Sequence, residues 1–425
     1  MNRRVLAQLS YGHFATDLSQ GALPALLPLF KSQYHLSYTD VGFVVLMANI
    51  SSSVIQPAFG VLSDRVRMRW LMPAGALISG TGMILAVSAH HFAVMIAMIF
   101  LCGLGVAAFH PEGYKFAGLA SGERRATGMS YFSAGGNVGY GFGPAAASIA
   151  LHFAGPRGLF YLPVFSIPAA VILWFVASPR RRSQLEAEWQ SASRAAPSKD
   201  RGGRPAAGAA VPARFGGMAA RTVLTLLVAF VILRSWVSVG ESSFIPLYLT
   251  GVHHLNPTYA GLLVSLFLGA GSVGTLLGGV AADRWGRRRM LLVSMIILPP
   301  LLWLMPRAVG PIGLAAALIA GMAAVSTFAV VMVMAQSVIP GRIGLISGLI
   351  IGFAVGTGGI GTTLLGAVAD RWGVLRALDI TALLPLAALG IALFLPPDPP
   401  GLRNPDVEST RTSMGGLHAN AAGGE

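Results

Sequence analysis

The sequence predicts an all-α membrane protein with twelve transmembrane helices arranged as two pseudo-symmetric halves of six. Three observations predict this fold: the composition, the number of long apolar segments and an internal repeat. Of the 425 residues, 54% are hydrophobic and only 11% are charged, whereas soluble domains carry about 25% charged residues. A chain with so few charged side chains cannot cover a water-exposed surface, so its main partner is a lipid bilayer.

Twelve segments are apolar enough to cross a bilayer, which takes about 20 residues per helix. Numbered as spans one to twelve, they are 5–30, 38–63, 70–89, 92–120, 127–153, 158–178, 222–250, 258–282, 290–306, 311–338, 344–369 and 375–396. They divide the chain into an N-terminal half, 1–178, a basic linker, 179–221, a C-terminal half, 222–396, and a tail, 397–425. The linker and the tail lack apolar periodicity, so we expect both to be flexible and the tail to be disordered.

The distribution of positive charge predicts how the helices are oriented. The formal net charge is +14, a value that also fits a nucleic-acid-binding protein. However, 23 of the 30 lysines and arginines fall in segments that share a side with both termini, and five fall in loops of the opposite side. Basic loops stay in the cytoplasm. We therefore expect a multi-pass protein of the bacterial inner membrane with both termini in the cytoplasm, and no nucleic-acid partner.

The two halves contain a repeated segment. Residues 36–65 and 255–284 align without a gap at an offset of 219 residues, which pairs Gly60 with Gly279 and Asp64 with Asp283. Two related halves joined by a linker are typical of secondary transporters, which bind substrate near the midplane between the halves and alternate access by rocking. A membrane enzyme or a receptor does not require this symmetry.

The repeated segment ends in a motif that resembles the G-x-L-a-D-R-x-G-R-[RK] loop of the major facilitator superfamily. The residues that carry it are Gly60, Asp64 and Arg65 in the first copy, and Gly279, Asp283, Arg284, Gly286, Arg287 and Arg288 in the second. The first copy departs from the motif at Val66. We expect the first glycine of each copy to let helices approach closely. We expect each aspartate to face the positive N-terminal end of a helix, span eleven for Asp64 and span five for Asp283, and so to close the cytoplasmic gate.

Two further segments narrow the resemblance. Gly139, Gly143 and Pro144 in span five are similar to the G-x-x-x-G-P motif of drug–proton antiporters in this superfamily, although a pure packing role is an equal alternative. Residues 12–28 of span one and 109–113 of span four resemble the fosmidomycin-resistance branch. That resemblance implies proton-driven export of a phosphonate antibiotic or of other drugs. Residues 370–373, after span eleven, are similar to the loop motif but lack the basic residues that follow it. We interpret them as a remnant of pairing at a helix end.

Ionisable side chains inside membrane spans are costly, so each is a functional hypothesis. For proton coupling Asp17 is our first candidate, Glu112 and Glu241 follow, and His13 and His110 are possible relays. Arg234 offers a bidentate fork to an anion and Lys115 a point charge. The predicted substrate-binding set is Gln20, Lys115, Asn137 and Arg234. The alternative is that Glu112–Lys115 and Arg234–Glu241 are buried ion pairs that only fix helix packing.

The function predicted from these features is proton-coupled efflux of a small molecule by a monomeric transporter. A carrier of a physiological metabolite or sugar is the alternative. A membrane-embedded enzyme has one candidate cluster, His110-Pro111-Glu112, which lacks the H-E-x-x-H spacing and a third ligand. We therefore expect no enzymatic activity, no cofactor and no metal.

Overall fold

The predicted spans fold as helices, and several of them consist of two helices in succession. The computed structural model describes residues 1–65, 68–122, 124–195, 214–215, 218–338, 346, 349–350, 352 and 356–396. In the N-terminal half the helices are Arg3–Gly21 and Leu23–Tyr34 (span one), Tyr38–Asn49 and Gln56–Arg65 (span two), Leu71–Val87, Phe92–Ser121, Arg125–Ala154 and Tyr161–Val176. In the C-terminal half they are Ala220–Gly251, Pro257–Trp285, Arg287–Leu304, Pro311–Val338, Gly358–Trp372 (in span eleven) and Val374–Phe394.

Length and apolar character support a membrane protein independently of the repeat. Seven helical stretches of the described chain are long and apolar enough to cross a membrane: Tyr38–Ser63, Phe92–Ser121, Thr127–Val176, Ala220–Gly251, Pro257–Trp285, Pro311–Val338 and Val374–Phe394. The stretch Thr127–Val176 contains both span five and span six. Span one is broken at Ala22, because Pro24 lacks the N–H that would continue the first helix. Span two contains a wide π-type turn at Ile50–Val54.

The linker differs from our expectation of a flexible segment. Its first part is a helix, Pro179–Ala195, which we call the linker helix. Leu185 of this helix is fully buried against the N-terminal half, and Arg182 pairs with Glu112 of span four and with Glu186. Two short antiparallel strands, Arg214–Phe215 and Met218–Ala219, lead into span seven. The tail, 397–425, lies outside the described residues.

The two ends of the bundle differ in how closely the halves approach. We call the end that carries the linker helix and Arg284–Arg289 the arginine-rich end, and the other the arginine-poor end. Towards the arginine-poor end the backbones of spans two and eleven touch, since a Cβ on Gly42 or Gly366 would overlap with Thr363 or Tyr38. At the arginine-rich end, a Cβ on Gly60 or Gly279 would meet nothing within 4 Å. The halves are therefore closed against each other at the arginine-poor end.

Within the N-terminal half, spans one and five form a backbone contact of a similar kind. Gly135, Gly139 and Gly143 are spaced four residues apart and face the backbone of span one, where Gly139 lies against the carbonyl of Phe14. Side chains at these positions would force the two helices apart.

We expect Gly139→Leu to destabilise the folded protein by about 3 kcal/mol, the upper part of the range for overpacking. Thermal unfolding in detergent measures the effect. Gly390→Leu on span twelve is the matched control, because a Cβ there meets nothing within 4 Å. Equal unfolding temperatures for the two variants would contradict a tight contact between spans one and five.

Candidate functional site

A cavity of about 300 Å³ lies between the two halves. Most of its lining residues have polar side chains, and they come from spans one, two and five of one half and spans seven, eight and ten of the other. The polar lining residues are Gln20, Asn49, Ser53, Asn137, Tyr140, Arg234, Ser235, Ser238, Ser242, Ser272 and Thr275. Three of the four predicted substrate-binding residues, Gln20, Asn137 and Arg234, therefore line one cavity. The interhalf position is the one expected for the substrate site of a two-repeat transporter.

Several hydroxyl side chains of this cavity were missing from the sequence prediction. Ser235, Ser238 and Ser242 lie on one face of span seven, and Ser272 and Thr275 lie three residues apart in span eight. The helical spacing of these serines beside Arg234 is the signal that could have identified them.

Arg234 brings a positive charge to this cavity. The residue is buried, and its guanidinium carbon lies 5.2 Å from the ring centre of Phe328. The alternative of a buried Arg234–Glu241 ion pair is not observed, and both carboxylate oxygens of Glu241 lack a hydrogen-bond partner among the described residues. Seven residues separate the two by about 10 Å along the helix, and the arginine side chain reaches the cavity, which Glu241 does not line.

The second part of the site is a cluster of His13, Asp17 and His110, which we call the His–Asp–His cluster. Nε2 of His13 lies 3.2 Å from Oδ2 of Asp17, and Nε2 of His110 lies 3.6 Å from Oδ1. The two Nε2 atoms are 3.2 Å apart. Their side chains are 4%, 13% and 14% exposed for His13, Asp17 and His110. The structure thus brings the first candidate for proton coupling together with both possible relays.

The surroundings of the cluster fix which nitrogen of each imidazole faces the aspartate. Nδ1 of His13 donates to the backbone carbonyl of Phe132 at 2.9 Å, and Nδ1 of His110 donates to that of Val106 at 2.8 Å. A carbonyl oxygen only accepts, so the hydrogen of each neutral ring is on Nδ1. Both Nε2 atoms then present lone pairs to each other, an arrangement that is favourable only when an additional proton lies between them or on one of them. The geometry therefore favours a cluster that holds at least one extra proton.

Packing keeps the cluster in place. The ring of Phe132 stacks on His13 with centroids 4.3 Å apart, and Phe109 lies 5.6 Å from the same imidazole. Gly136 of span five leaves room for the His13 ring, because a Cβ there would overlap with it. Gln20 follows Asp17 by three residues, so the cluster lies about 5 Å along span one from the cavity wall.

The same three side chains could also surround a metal ion, since their ligand atoms lie within 4.8 Å of one another. Within the described ranges no fourth His, Cys, Asp or Glu joins this group. A structural zinc site normally has four protein ligands. The composition of the cluster therefore does not match a structural zinc site.

Glu112 and Lys115 form a separate ion pair, in which Glu112 is buried and Lys115 is partly exposed. Nζ of Lys115 lies 3.4 Å from Oε1 of Glu112 and 2.5 Å from the hydroxyl of Ser63, and Nη1 of Arg182 lies 3.8 Å from Oε2 of Glu112. In this conformation the side chain of Lys115 contacts Glu112 and Ser63 and does not line the cavity, so its role in substrate binding stays a prediction. Glu112 is therefore held in a contact between span four and the linker helix, apart from the central cavity.

Three described charged residues of the gating motifs are exposed at the arginine-rich end. Asp283, Arg284 and Arg65 are exposed, and the open space at Gly60 and Gly279 contradicts the close helix approach that we predicted there. Gly274 and Gly278 make the close contact instead, against span ten. The side chain of Asp64 lies outside the described residues.

Three residues of the second motif copy follow Asp283 and Arg284 in the chain. Gly286 has φ of 98° and joins spans eight and nine, a conformation that favours glycine. The guanidinium of Arg288 binds the carbonyls of Ala392 and Leu393 at the end of span twelve. Arg287 also has an interaction partner. The contacts of Arg288 connect spans nine and twelve within the C-terminal half.

The antiporter-like motif of span five connects both parts of the site. Gly139 and Gly143 face the backbone of span one, on which Asp17 lies. Next to Pro144, the backbone N–H of Ala145 donates to the hydroxyl of Ser265 in span eight at 2.7 Å. Span five therefore contacts the helix that carries the cluster and also contacts the opposite half.

Comparison with known proteins gives an independent view of the chain. The family model described as Major Facilitator Superfamily matches residues 9–256 and 241–419. The fosmidomycin resistance protein of Escherichia coli (strain K12) is 30% identical over 92% of each chain. An uncharacterized MFS-type transporter of Bacillus subtilis (strain 168), YfnC, is 31% identical over 94% of each chain.

Solved structures of transporters share the fold. A mutant of the nucleoside transporter NupG superposes with a TM-score of 0.73 at 12% identity, covering 92% of this chain and 99% of the other. A bacterial homologue of the human lysosomal transporter Spinster, in an inward-facing and occupied conformation, gives 0.69 at 13% identity, covering 92% and 96%.

Proposed function

The chain belongs to the major facilitator superfamily of transporters, and on this premise we propose that it exports a small anionic molecule in exchange for protons. The observation that carries the proposal is the His–Asp–His cluster, whose geometry calls for a shared proton about one helical turn from a cavity that contains Arg234. With the arginine-rich end in the cytoplasm of a bacterium, the described conformation is closed towards the outside.

The charge of the cavity supports an anionic substrate. Arg234 is buried, and no described carboxylate lies within ion-pair distance of its guanidinium. A guanidinium in this situation is stabilised by an anion that accepts two parallel hydrogen bonds. Phosphonates and carboxylates have this geometry. The relative named as a fosmidomycin resistance protein supports a phosphonate as the first compound to test.

The cluster supplies the coupling in this proposal. Substrate enters the cavity from the cytoplasm when the cluster has released its proton, and a proton taken up from outside returns the empty carrier. Gln20 is the physical link, because it lies on the Asp17 face of span one and its amide donates to the hydroxyl of Ser52 in span two at 2.9 Å. When the charge of Asp17 changes, it therefore changes next to the contact between spans one and two, and both of these spans line the cavity.

Transport in proteoliposomes under an imposed pH gradient tests this function. We expect a phosphonate to accumulate in vesicles with an acidic lumen when the arginine-rich end of the protein faces outwards, and a protonophore to abolish accumulation. A sugar, a nucleoside and a cationic dye are tested in parallel. Accumulation of one of these instead, or phosphonate uptake that ignores the gradient, would reject the proposal and favour the metabolite carrier.

His110→Gln tests the role of the second imidazole. Glutamine keeps hydrogen-bonding groups but cannot take up a proton as an imidazole does, so we expect coupled flux to fall and its dependence on pH to flatten. His90→Gln, on an exposed loop, is the matched control and should retain the wild-type profile. An unchanged profile for His110→Gln would remove this residue from the coupling site.

A further inference from the structure

An eight-residue motif occurs in two similar copies in the C-terminal half. Residues 279–286 read GVAADRWG at the end of span eight, and residues 366–373 read GAVADRWG at the end of span eleven. Each copy ends its helix at a glycine with positive φ, 98° at Gly286 and 87° at Gly373. Because spans eight and eleven run in opposite directions, the copies lie at opposite ends of the bundle.

The two copies are in different states. At the arginine-poor end, the carboxylate of Asp370 accepts the backbone N–H of Tyr38 at 2.7 Å, the N–H of Thr39 at 2.9 Å and the Thr39 hydroxyl at 2.6 Å. Tyr38 and Thr39 begin the helix of span two, so these bonds connect the C-terminal half to the N-terminal half. At the arginine-rich end, the equivalent Asp283 is exposed.

The contact of Asp370 is strong for a surface interaction. The first N–H groups of a helix have no partner within the helix, and a carboxylate beside them is stabilised by hydrogen bonds and by the helix dipole. The first residue of the same motif copy, Gly366, lets the two backbones touch, because a Cβ there would overlap with the carbonyl of Tyr38. Asp370 and Gly366 of this motif copy therefore contribute to the same contact between spans eleven and two.

We propose that Asp370 is a latch that holds the arginine-poor gate closed, and that the two copies of the motif are engaged in alternation as the transporter changes conformation. In the described state the copy at the arginine-poor end is engaged, whereas Asp283 of the copy at the arginine-rich end is exposed. The proposed latch concerns only the opening of the two gates. It therefore does not depend on which substrate is carried or which ion drives transport.

The latch is charged at physiological pH. Burial raises the pKa of Asp370, but the hydrogen bonds from Thr39 and Tyr38 and the nearby Lys31 outweigh burial and hold the pKa below its ordinary value. A carboxyl group with a lowered pKa gives its stabilisation above the ordinary value and loses it only in strong acid. The latch therefore opens under forces applied elsewhere in the protein and does not titrate in the working range.

Distances between spin labels test the latch. Labels are attached to cysteines at two exposed positions near the arginine-poor end, His90 in the N-terminal half and Gly251 in the C-terminal half, in a Cys102→Ala background. We expect Asp370→Asn to raise the ratio of molecules open at this end to closed molecules about tenfold, the effect of one hydrogen bond to a charged group. Asp379→Asn is the matched control, because that carboxylate pairs with Arg307 within the C-terminal half.

Two more variants keep the test decisive. Thr39→Val removes only the side-chain donor and should shift the ratio in the same direction by a smaller factor, even if Asp370→Asn folds poorly. Asp283→Asn should shift the ratio in the opposite direction, because it weakens the alternative closed gate. Distance distributions of Asp370→Asn and Thr39→Val that equal those of the wild type and of Asp379→Asn would overturn the proposal.

Discussion

Replacement of Asp17 by asparagine is expected to reduce proton-driven transport to the background of empty vesicles. Asparagine has nearly the same shape and can still accept a hydrogen bond from His13, so the fold and the cavity should persist. It carries no negative charge and does not exchange a proton with His13 or His110, which lie 3.2 Å and 3.6 Å from the carboxylate. The expected result is therefore a protein that binds and equilibrates substrate without coupling.

Three measurements define the outcome for Asp17→Asn. Accumulation under a pH gradient should be lost, exchange of labelled for unlabelled substrate without a gradient should continue, and binding should release no protons. Glu241→Gln and Glu112→Gln are measured beside it, because both carboxylates are remaining candidates. Wild-type accumulation by Asp17→Asn would remove Asp17 from the coupling role, and loss of accumulation only in Glu241→Gln would move that role to span seven.

Replacement of Arg234 by glutamine is expected to weaken binding of a phosphonate by about 10-fold to 100-fold, corresponding to about 1.5–3 kcal/mol for hydrogen bonds to a charged group. The guanidinium is the charged group that the described cavity wall provides. Arg234→Lys keeps the charge and loses the planar fork, so we expect an intermediate affinity.

Calorimetric titration of the purified protein measures this effect. A monoanionic or neutral analogue of the phosphonate is the control ligand, and its affinity should depend much less on residue 234. If Arg234→Gln binds the phosphonate as tightly as the wild type does, the anion site lies elsewhere or the substrate is uncharged.

The sequence alone identified residues that share one face of a single helix. The spacing of His13, Asp17 and Gln20 predicted a shared face, and the structure places these residues at the cluster and at the cavity wall. The membership of His110 could not be derived from spacing, because it depends on how span four packs against span one. The glycines of span five pack against span one, and their helical spacing predicted a close contact without identifying this partner.

The sequence was less informative about which partner a long side chain reaches. Arg234 and Glu241 share a face of span seven, but seven residues keep them too far apart to pair. Lys115 is long enough to reach either a substrate or Glu112, and the hydroxyl of Ser63, from a distant part of the sequence, favours the latter. The linker helix was missed because a single buried leucine, Leu185, gives no apolar period.

The size of the central cavity has a consequence for pharmacology. A volume of about 300 Å³ is at the lower end for small-molecule sites. Multi-ring dyes and macrolides exceed this space, whereas a three-carbon phosphonate does not. A bacterium that overproduces this protein should therefore gain resistance to a narrow chemical class, and its sensitivity to bulky antibiotics should remain that of the parent strain.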